Sequence, residues 1–546
     1  MKRNILVVGD VGAWSVLHAG DEAMLDAAVT EMSARLDVRW TVVSADPVES
    51  AARYGIPAVP HFGFPAGASD QLREARLVEI LEAARGDRPL ELGDPALATL
   101  DAVAGSDAVL IAGGGNLAAA WPQQVYERAA LAGAATALSV PVVLTGQGLG
   151  PQFTERLGAL VAGALTSARF VGVREARSAA LAAQLGVHED RIWCATDDAA
   201  FLTDEVFDLR TVGVTEGQFV AVTFSAYGGF TPESDFVDRL AHLLDVLVDE
   251  TGLDVLLVPH LSAVASLGHD EQFHQVLLHA AKSDRILTTG PLPPRQLAWI
   301  AGQAALVVSN RYHPVVFALH RGVPVVALCV DDYTEQKIRG SMEMMGVADW
   351  ALAASAPVEV IIEAIAECWR RRDELHDVLV VRARSQQELK TRYWDTLCEA
   401  LAGGPVGISA LTAGGTSGVT SGQGGWVVRN QDALVALQDF SRYAADLQRQ
   451  LSNADGLRDR VMNELHQVRL DHNALQDSLA ALAVEVTVER AAGDVARSER
   501  ARGLEEAAAD RALLRWALDE RATLQRTKLM RWSKLPRAVY RAARRL

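Results

Sequence analysis

From Met1 to about Ala402 the chain alternates short β-branched runs with longer amphipathic stretches. That alternation restricts it to parallel sheets covered by helices. Strands are expected at Ile5 to Val8, Val38 to Ser44, Ala108 to Ala112, Val140 to Thr145, Phe170 to Val173, Phe219 to Phe224, Val255 to Val258, Ala305 to Val308 and Val323 to Ala327. A polar segment around Thr203 to Gly217 separates a motif-rich first half from a second that opens a new strand at Phe219. The expected architecture is therefore α/β, with two doubly wound Rossmann-like domains spanning residues 1–208 and 209–402. Ligands in such folds collect outside the carboxyl ends of the strands, so chemistry is expected in the crevice between the halves.

Beyond Ala402 the polypeptide changes character. Residues 403–429 are read as a linker: nine glycines fall between 403 and 425, with Ser and Thr between them and almost nothing apolar to bury. By coil statistics such a tether spans roughly 25 to 30 Å. In the next stretch, 430–525, Leu447, Leu451, Ala454, Val461, Leu465, Val468, Leu475, Leu479, Leu482 and Val486 share an alternating three-four register, interrupted by Arg458 and His472. A coiled coil, able to pair copies of the chain, is the first expectation, and one long amphipathic helix folding back on the catalytic unit is the alternative.

The tail, 526–546, carries Arg526, Lys528, Arg531, Lys534, Arg537, Arg541, Arg544 and Arg545 and no acid. The net charge of −17 thus divides into +8 in the tail and −25 elsewhere, which argues against nucleic acid as a general partner. Trp532 and the aliphatic residues among the tail's cations suit the headgroup region of an anionic membrane. The four cysteines are scattered without C-x-x-C spacing, and neither a leader nor an apolar run of spanning length is seen. The expectation is a cytoplasmic protein, peripheral at the inner face of the cell membrane, without a metal site.

Chemistry-bearing residues cluster at the strand ends. Asn4 to Gly12 reads as a first strand and glycine turn, and Gly20-Asp21-Glu22 as a helix start with acids at the positive end of the dipole. The glycine spacing is not that of a dinucleotide fingerprint. Gly113-Gly114-Gly115-Asn116 and Gly146-Gln147-Gly148 each close a strand in glycines, which lets a ligand approach backbone N–H groups. Arg174 ends another strand, and Thr196-Asp197-Asp198 brings carboxylates to the close of the first half. Arg311-Tyr312-His313-Pro314 lies between a buried strand and a helix start, placing a fixed cation beside a titratable imidazole. His260, after Pro259, occupies a similar strand end.

Taken in order, G-D-x-G…G-D-E-A, G-G-G-N, G-Q-G-x-G-P, V-R-E-x-x-S, D-x-A-F and R-Y-H-x-x-x-x-A-L-x-x-G-V-P-V-V resemble the polysaccharide pyruvyl transferase family over roughly residues 4 to 346. This chain departs from the family pattern at His18, where Asn is usual, and at Asp198-Ala199, where Asp-Pro is usual. The resemblance implies a GT-B-like fold and transfer of the enolpyruvyl part of phosphoenolpyruvate onto two hydroxyls of a sugar, forming a cyclic ketal on a cell-envelope glycan or its lipid-linked precursor.

On that basis Arg311, with Arg174 and His260, is expected to hold the donor, and Gly113, Gly114, Gly115, Asn116 and Gln147 to line the acceptor side. His313, its pKa raised by surrounding anions, is expected to protonate the donor's C3, and Asp198 to take a hydroxyl proton. No cofactor is called for beyond phosphoenolpyruvate as substrate. Two rival functions use the same residues: a GT-B glycosyltransferase with a nucleotide-sugar donor, and a non-catalytic scaffold in glycan assembly.

Overall fold

The computed structural model of the chain describes residues 2–12, 16–64, 68–229, 233–263, 269–402 and 425–452. The chain divides into two units, Met1–His466 and Gln467–Leu546, and every described residue belongs to the first. After strand β1 (Arg3–Val8) and a short strand β2 (Val16–His18) come β3 (Val38–Ser44), β4 (Ala58–Pro60), β5 (Ala108–Ile111), β6 (Gly114–Leu117), β7 (Val142–Leu149), β8 (Phe170–Val173) and β9 (Ile192–Cys194). All but β2 form one sheet in the order β4-β3-β1-β5-β7-β8-β9, with β6 beside β7. The second half contributes β10 (Phe219–Thr223), β11 (Asp254–Leu257), β12 (Leu261–Ala263), β13 (Ile286–Thr288), β14 (Leu306–Ser309), β15 (Val325–Cys329) and β16 (Ala351–Ala353). Its sheet runs β13-β11-β10-β14-β15-β16.

Pairing is parallel throughout both sheets, with Val8 opposite Ile111 in the first and Thr223 opposite Ser309 in the second. Helices on both faces bury these strands completely, which is why β5, β8, β10 and β14 are near-continuous runs of Val, Ile, Leu, Ala and Phe rather than alternating patterns. Each strand expected from the sequence is present. The strand order reverses between β1 and β5 and again between β10 and β14, and at such switch points helices leave in opposite directions and open a crevice. β2 and β12 pair antiparallel between the two halves, and the Ala19 amide donates to the His260 carbonyl at 3.1 Å.

The helices that shape the crevice are α1 (Ala19–Ser33), α2 (Tyr312–Leu319), α3 (Asp332–Met344), α4 (Arg372–Leu401) and α5 (Gly425–Ser452). α1 begins with Asp21 and Glu22 in its first turn, as expected for the positive end of a helix dipole. α3 begins in a capping box, with Asp331 accepting from the Thr334 amide.

The expected boundary after residue 208 separates the two sheets but not two independent cores. The end of α4 crosses back, packing Leu389, Tyr393, Trp394 and Leu397 against Ile5, Val7, Val143 and Phe170 of the first sheet. In the other direction Ala19, Ala23 and Met24 of α1 join the core of the second sheet.

α5 starts at Gly425, inside the stretch read as linker, because Trp426 is buried there near Trp350. The helix then folds back onto the second half through Leu434 and Leu437. The rest of the register, Ala454 to Val486, and the basic tail lie outside the described residues. No described helix is long and apolar enough to cross a membrane.

Candidate active site

The carboxyl end of β14 is tied to that of β10 before any functional side chain appears. Ser309 donates its hydroxyl to the Thr223 carbonyl at 3.0 Å, and Asn310 bridges the Ser225 backbone, accepting from its amide at 2.8 Å and donating to its carbonyl at 3.1 Å. From this fixed end Arg311 leaves in extended conformation as the N-cap of α2. Its guanidinium grips Asp270 from two nitrogens, Nη2 to Oδ1 at 2.5 Å and Nε to Oδ2 at 3.0 Å. Asp270 also accepts from the backbone amides of His260 and Leu261 at 3.1 and 2.9 Å. Burial pushes the Asp270 carboxyl up, but Arg311 and these donors outweigh it and leave it below the ordinary carboxylate range. The Arg311 side chain remains 28% exposed.

His313 points from α2 toward the first half. Its Nε2 lies 4.0 Å from Asp197 Oδ2 and has no hydrogen-bond partner among the described residues. Helix α1 passes so close that a Cβ on Gly20 would overlap the His313 ring, so the glycine of the G-D-E element is required by packing. Burial first, and then the Arg174 and Lys337 charges, lower the His313 pKa to about 3 against the pull of Asp197. The imidazole is therefore neutral at pH 7. The expectation that neighbouring anions raise its pKa is corrected here, because desolvation is a larger effect than the pull of Asp197.

Asp197, not Asp198, faces the imidazole. Asp197 Oδ1 accepts from the Ala199 amide at 2.9 Å and so caps the tight turn Asp198–Phe201, which turns the next side chain to the opposite side. Asp198 is instead buried against Lys390 of α4, Nζ to Oδ1 at 2.5 Å, and accepts from the Thr145 hydroxyl. It lines a small cavity with Lys390, Phe201 and Trp394, and its Oδ2 lies 2.9 Å from where a Cβ on Gly113 would stand.

Arg174 is 2% exposed and pairs with Asp197 Oδ2 at 3.0 Å, with its guanidinium carbon 4.3 Å from the centre of the Tyr312 ring. Asp197 thus lies between Arg174 and His313; burial opposes its charge, but those two groups prevail and keep its pKa low.

The glycine loops serve this cluster. A Cβ on Gly148 would come within 2.9 Å of Arg174, one on Gly115 would overlap the Tyr333 hydroxyl, and one on Gly113 would overlap Met24. Gly114 leaves room for the buried Asn116, 2.7 Å from where its Cβ would stand. Gln147 donates to the carbonyls of Ala112 and Thr145 at 2.8 Å each, so its amide stitches strand ends together. His260 is buried with Nδ1 3.2 Å from the Val258 carbonyl and Nε2 without a partner among the described residues, and burial lowers its pKa to about 4. His320 is buried with a ring nitrogen 2.7 Å from Thr196 Oγ1.

Sequence reasoning missed Lys337. It stands one turn after Tyr333 on α3, 4.2 Å from that ring's centre, and has no salt bridge among the described residues. Burial, then Arg174, lower its pKa to about 8. The signal was present as an i, i+4 Tyr–Lys pair following a buried strand, but only tertiary packing turns that face of α3 to the crevice.

Asp21, Asp10 and His18 form a second group, with ligand atoms within 4.8 Å of one another. Two carboxylates and an imidazole at that spacing have the donor types for a divalent cation, though solvated acids commonly cluster without one. Burial and then Asp10 raise the Asp21 carboxyl to about 6. The crevice therefore combines a lysine ammonium without a salt bridge among the described residues, two arginines and a neutral imidazole. That set favours a small polyanion and lets the imidazole gain a proton when that anion arrives.

The family model for polysaccharide pyruvyl transferase matches residues 18–332. No curated protein matches the chain. Among solved structures, the UDP-GlcNAc 2-epimerase from Neisseria meningitidis bound to UDP-GlcNAc is similar at 12% identity and a TM-score of 0.46, over 73% of this chain and 100% of that one. The UDP-GlcNAc 2-epimerase from Methanocaldococcus jannaschii gives 12% identity and 0.44, over 67% and 92%. Anabaena HepE in complex with UDP and glucose gives 13% and 0.44, over 73% and 100%.

Proposed function

Since this chain belongs to the polysaccharide pyruvyl transferase family, we propose that it transfers the pyruvyl group of phosphoenolpyruvate to a sugar of a cell-envelope glycan or of its lipid-linked precursor, forming a cyclic ketal. The observation that carries the proposal is Asp197 held between His313 and Arg174, 4.0 Å from the imidazole and 3.0 Å from the guanidinium, inside the matched motif order. Phosphoenolpyruvate brings a phosphate and a carboxylate. Lys337, which has no salt bridge among the described residues, meets one of them, and Arg311, partly exposed, meets the other while Asp270 holds its fork in place. Arg174 adds charge from beneath, and His260 borders the same end of the second sheet.

Two added anions raise the His313 pKa from its low starting value, so the imidazole takes up a proton as the donor binds. It then delivers that proton to C3 of the enol ester, and the cationic C2 is attacked by one sugar hydroxyl, which releases its own proton. A second hydroxyl displaces phosphate from C2 and closes the ketal; the neutral His313, backed by Asp197, accepts this second proton, and the first leaves on the departing phosphate. Asp198 has no part in this scheme because its carboxylate is taken up by Lys390 and the Thr145 hydroxyl. The acceptor side is proposed to lie along Gly113 to Asn116, through backbone groups rather than the Gln147 amide. The proposal includes no resident metal.

Thermal unfolding of the full chain with phosphoenolpyruvate and, separately, with nucleotide sugars tests the reading. At about a hundredfold excess over its dissociation constant a true ligand stabilises by about 2.7 kcal/mol. Stabilisation by a nucleotide sugar without any by phosphoenolpyruvate would favour a glycosyltransferase and end the pyruvyl reading.

A further inference from the structure

Helix α5 comes after a glycine-rich tether, yet it is built into the body of the second half. Trp426 is 3% exposed and donates from Nε1 to Glu367 at 2.7 Å. Asn430, equally buried, accepts from the Ala353 amide at 3.0 Å and donates to the Ala351 carbonyl at 3.1 Å. Its amide thereby imitates a further strand along β16, the edge of the second sheet, and satisfies an edge that would otherwise stay open. One end of the contact reaches the crevice: the Asp332 amide, at the first residue of α3, donates to Ser441 Oγ at 3.2 Å. That amide is one of the donors a helix start leaves without an internal partner.

α3 is also the helix that joins the two halves across the crevice. Tyr333 donates its hydroxyl to the Gly115 carbonyl at 3.2 Å, Gln336 donates to the Leu149 carbonyl at 2.5 Å, and Glu335 pairs with Arg177. Lys337 projects from the same helix. The family match ends at residue 332, so neither α3 beyond its first residue nor α5 falls within it.

We propose that α5 is a brace for α3: Trp426 and Asn430 fix it to the sheet edge, Ser441 caps the start of α3, and together they hold Tyr333 and Lys337 in the crevice. These are positioning residues, and their link to donor affinity rests on the proposed function.

The test uses the full chain. In the double variant Trp426→Ala/Asn430→Leu, hydrogen–deuterium exchange over 333–344 should quicken about tenfold while β1 and β5 keep wild-type protection, and the dissociation constant for phosphoenolpyruvate should rise about fivefold. Wild-type exchange over α3 in a chain whose α5 exchanges freely overturns the proposal. Should the double variant fail to fold, Ser441→Ala, a mild change at a half-buried position, takes its place. It should speed exchange of the first-turn α3 amides about threefold, with Ser441→Thr restoring them; no change sinks the brace. Exchange in α3 does not depend on what the crevice binds. A wild-type chain indifferent to phosphoenolpyruvate would therefore refute the donor assignment alone.

Discussion

Asp197 and Asp198 are neighbours in the chain and serve opposite sides of one turn. Because Asp198 pairs with the buried Lys390 ammonium, Asp198→Asn removes that charge's hydrogen-bonded counter-ion and should destabilise the protein by about 3–5 kcal/mol in urea unfolding, while folded protein keeps its donor affinity. Equal loss of affinity and stability would return Asp198 to the crevice. Gly20 makes a complementary test. Alanine is the better helix former by about 1 kcal/mol, but here its methyl would displace the His313 ring. Gly20→Ala should therefore lower turnover by about a hundredfold with helix content unchanged by circular dichroism. The proton itself can be followed. His313 starts near pKa 3 and is neutral at pH 7, so a rise on donor binding means net proton uptake. Calorimetric titration at pH 7 in buffers of different ionisation enthalpy should reveal that uptake, and His313→Gln should abolish it. Heats that do not vary with buffer in the wild type would exclude His313 as the acid.

At the scale of elements, α4 shows how far the halves depend on each other. Trp394 leaves the second half's last crossing helix to pack in the first half's core. Trp394→Ala should cost about 3–5 kcal/mol and leave one cooperative transition seen by probes in both sheets; two separated transitions would show that α4 does not couple them. The strands and their ends were legible in the sequence, because runs such as Phe170 to Val173 and Leu306 to Ser309 are apolar on both faces and stop at Arg or Asn. The short strands β2 and β12 were not, since their pairing joins residues from the two halves and has no local period. Nor was the glycine logic. Gly113, Gly115 and Gly148 were read as room for a ligand, whereas much of that room holds Met24, Tyr333 and Arg174.

At the scale of the whole molecule, the chain combines a two-sheet body with a strongly basic end. Deleting residues 526–546 removes eight cations and no acid, so it should leave phosphoenolpyruvate binding intact and abolish any co-sedimentation with anionic vesicles in low salt. A truncated chain that still pelleted would place membrane affinity elsewhere. The order of motifs along the chain settled the family and the parallel α/β class, since hydrophobic period and strand-end composition are local properties written residue by residue. Which of two adjacent aspartates meets His313, whether that imidazole is charged, that Lys337 stands in the crevice and that α5 returns to the body were decided only in three dimensions. Each depends on desolvation and on contacts between residues far apart in the chain, and no local pattern encodes those.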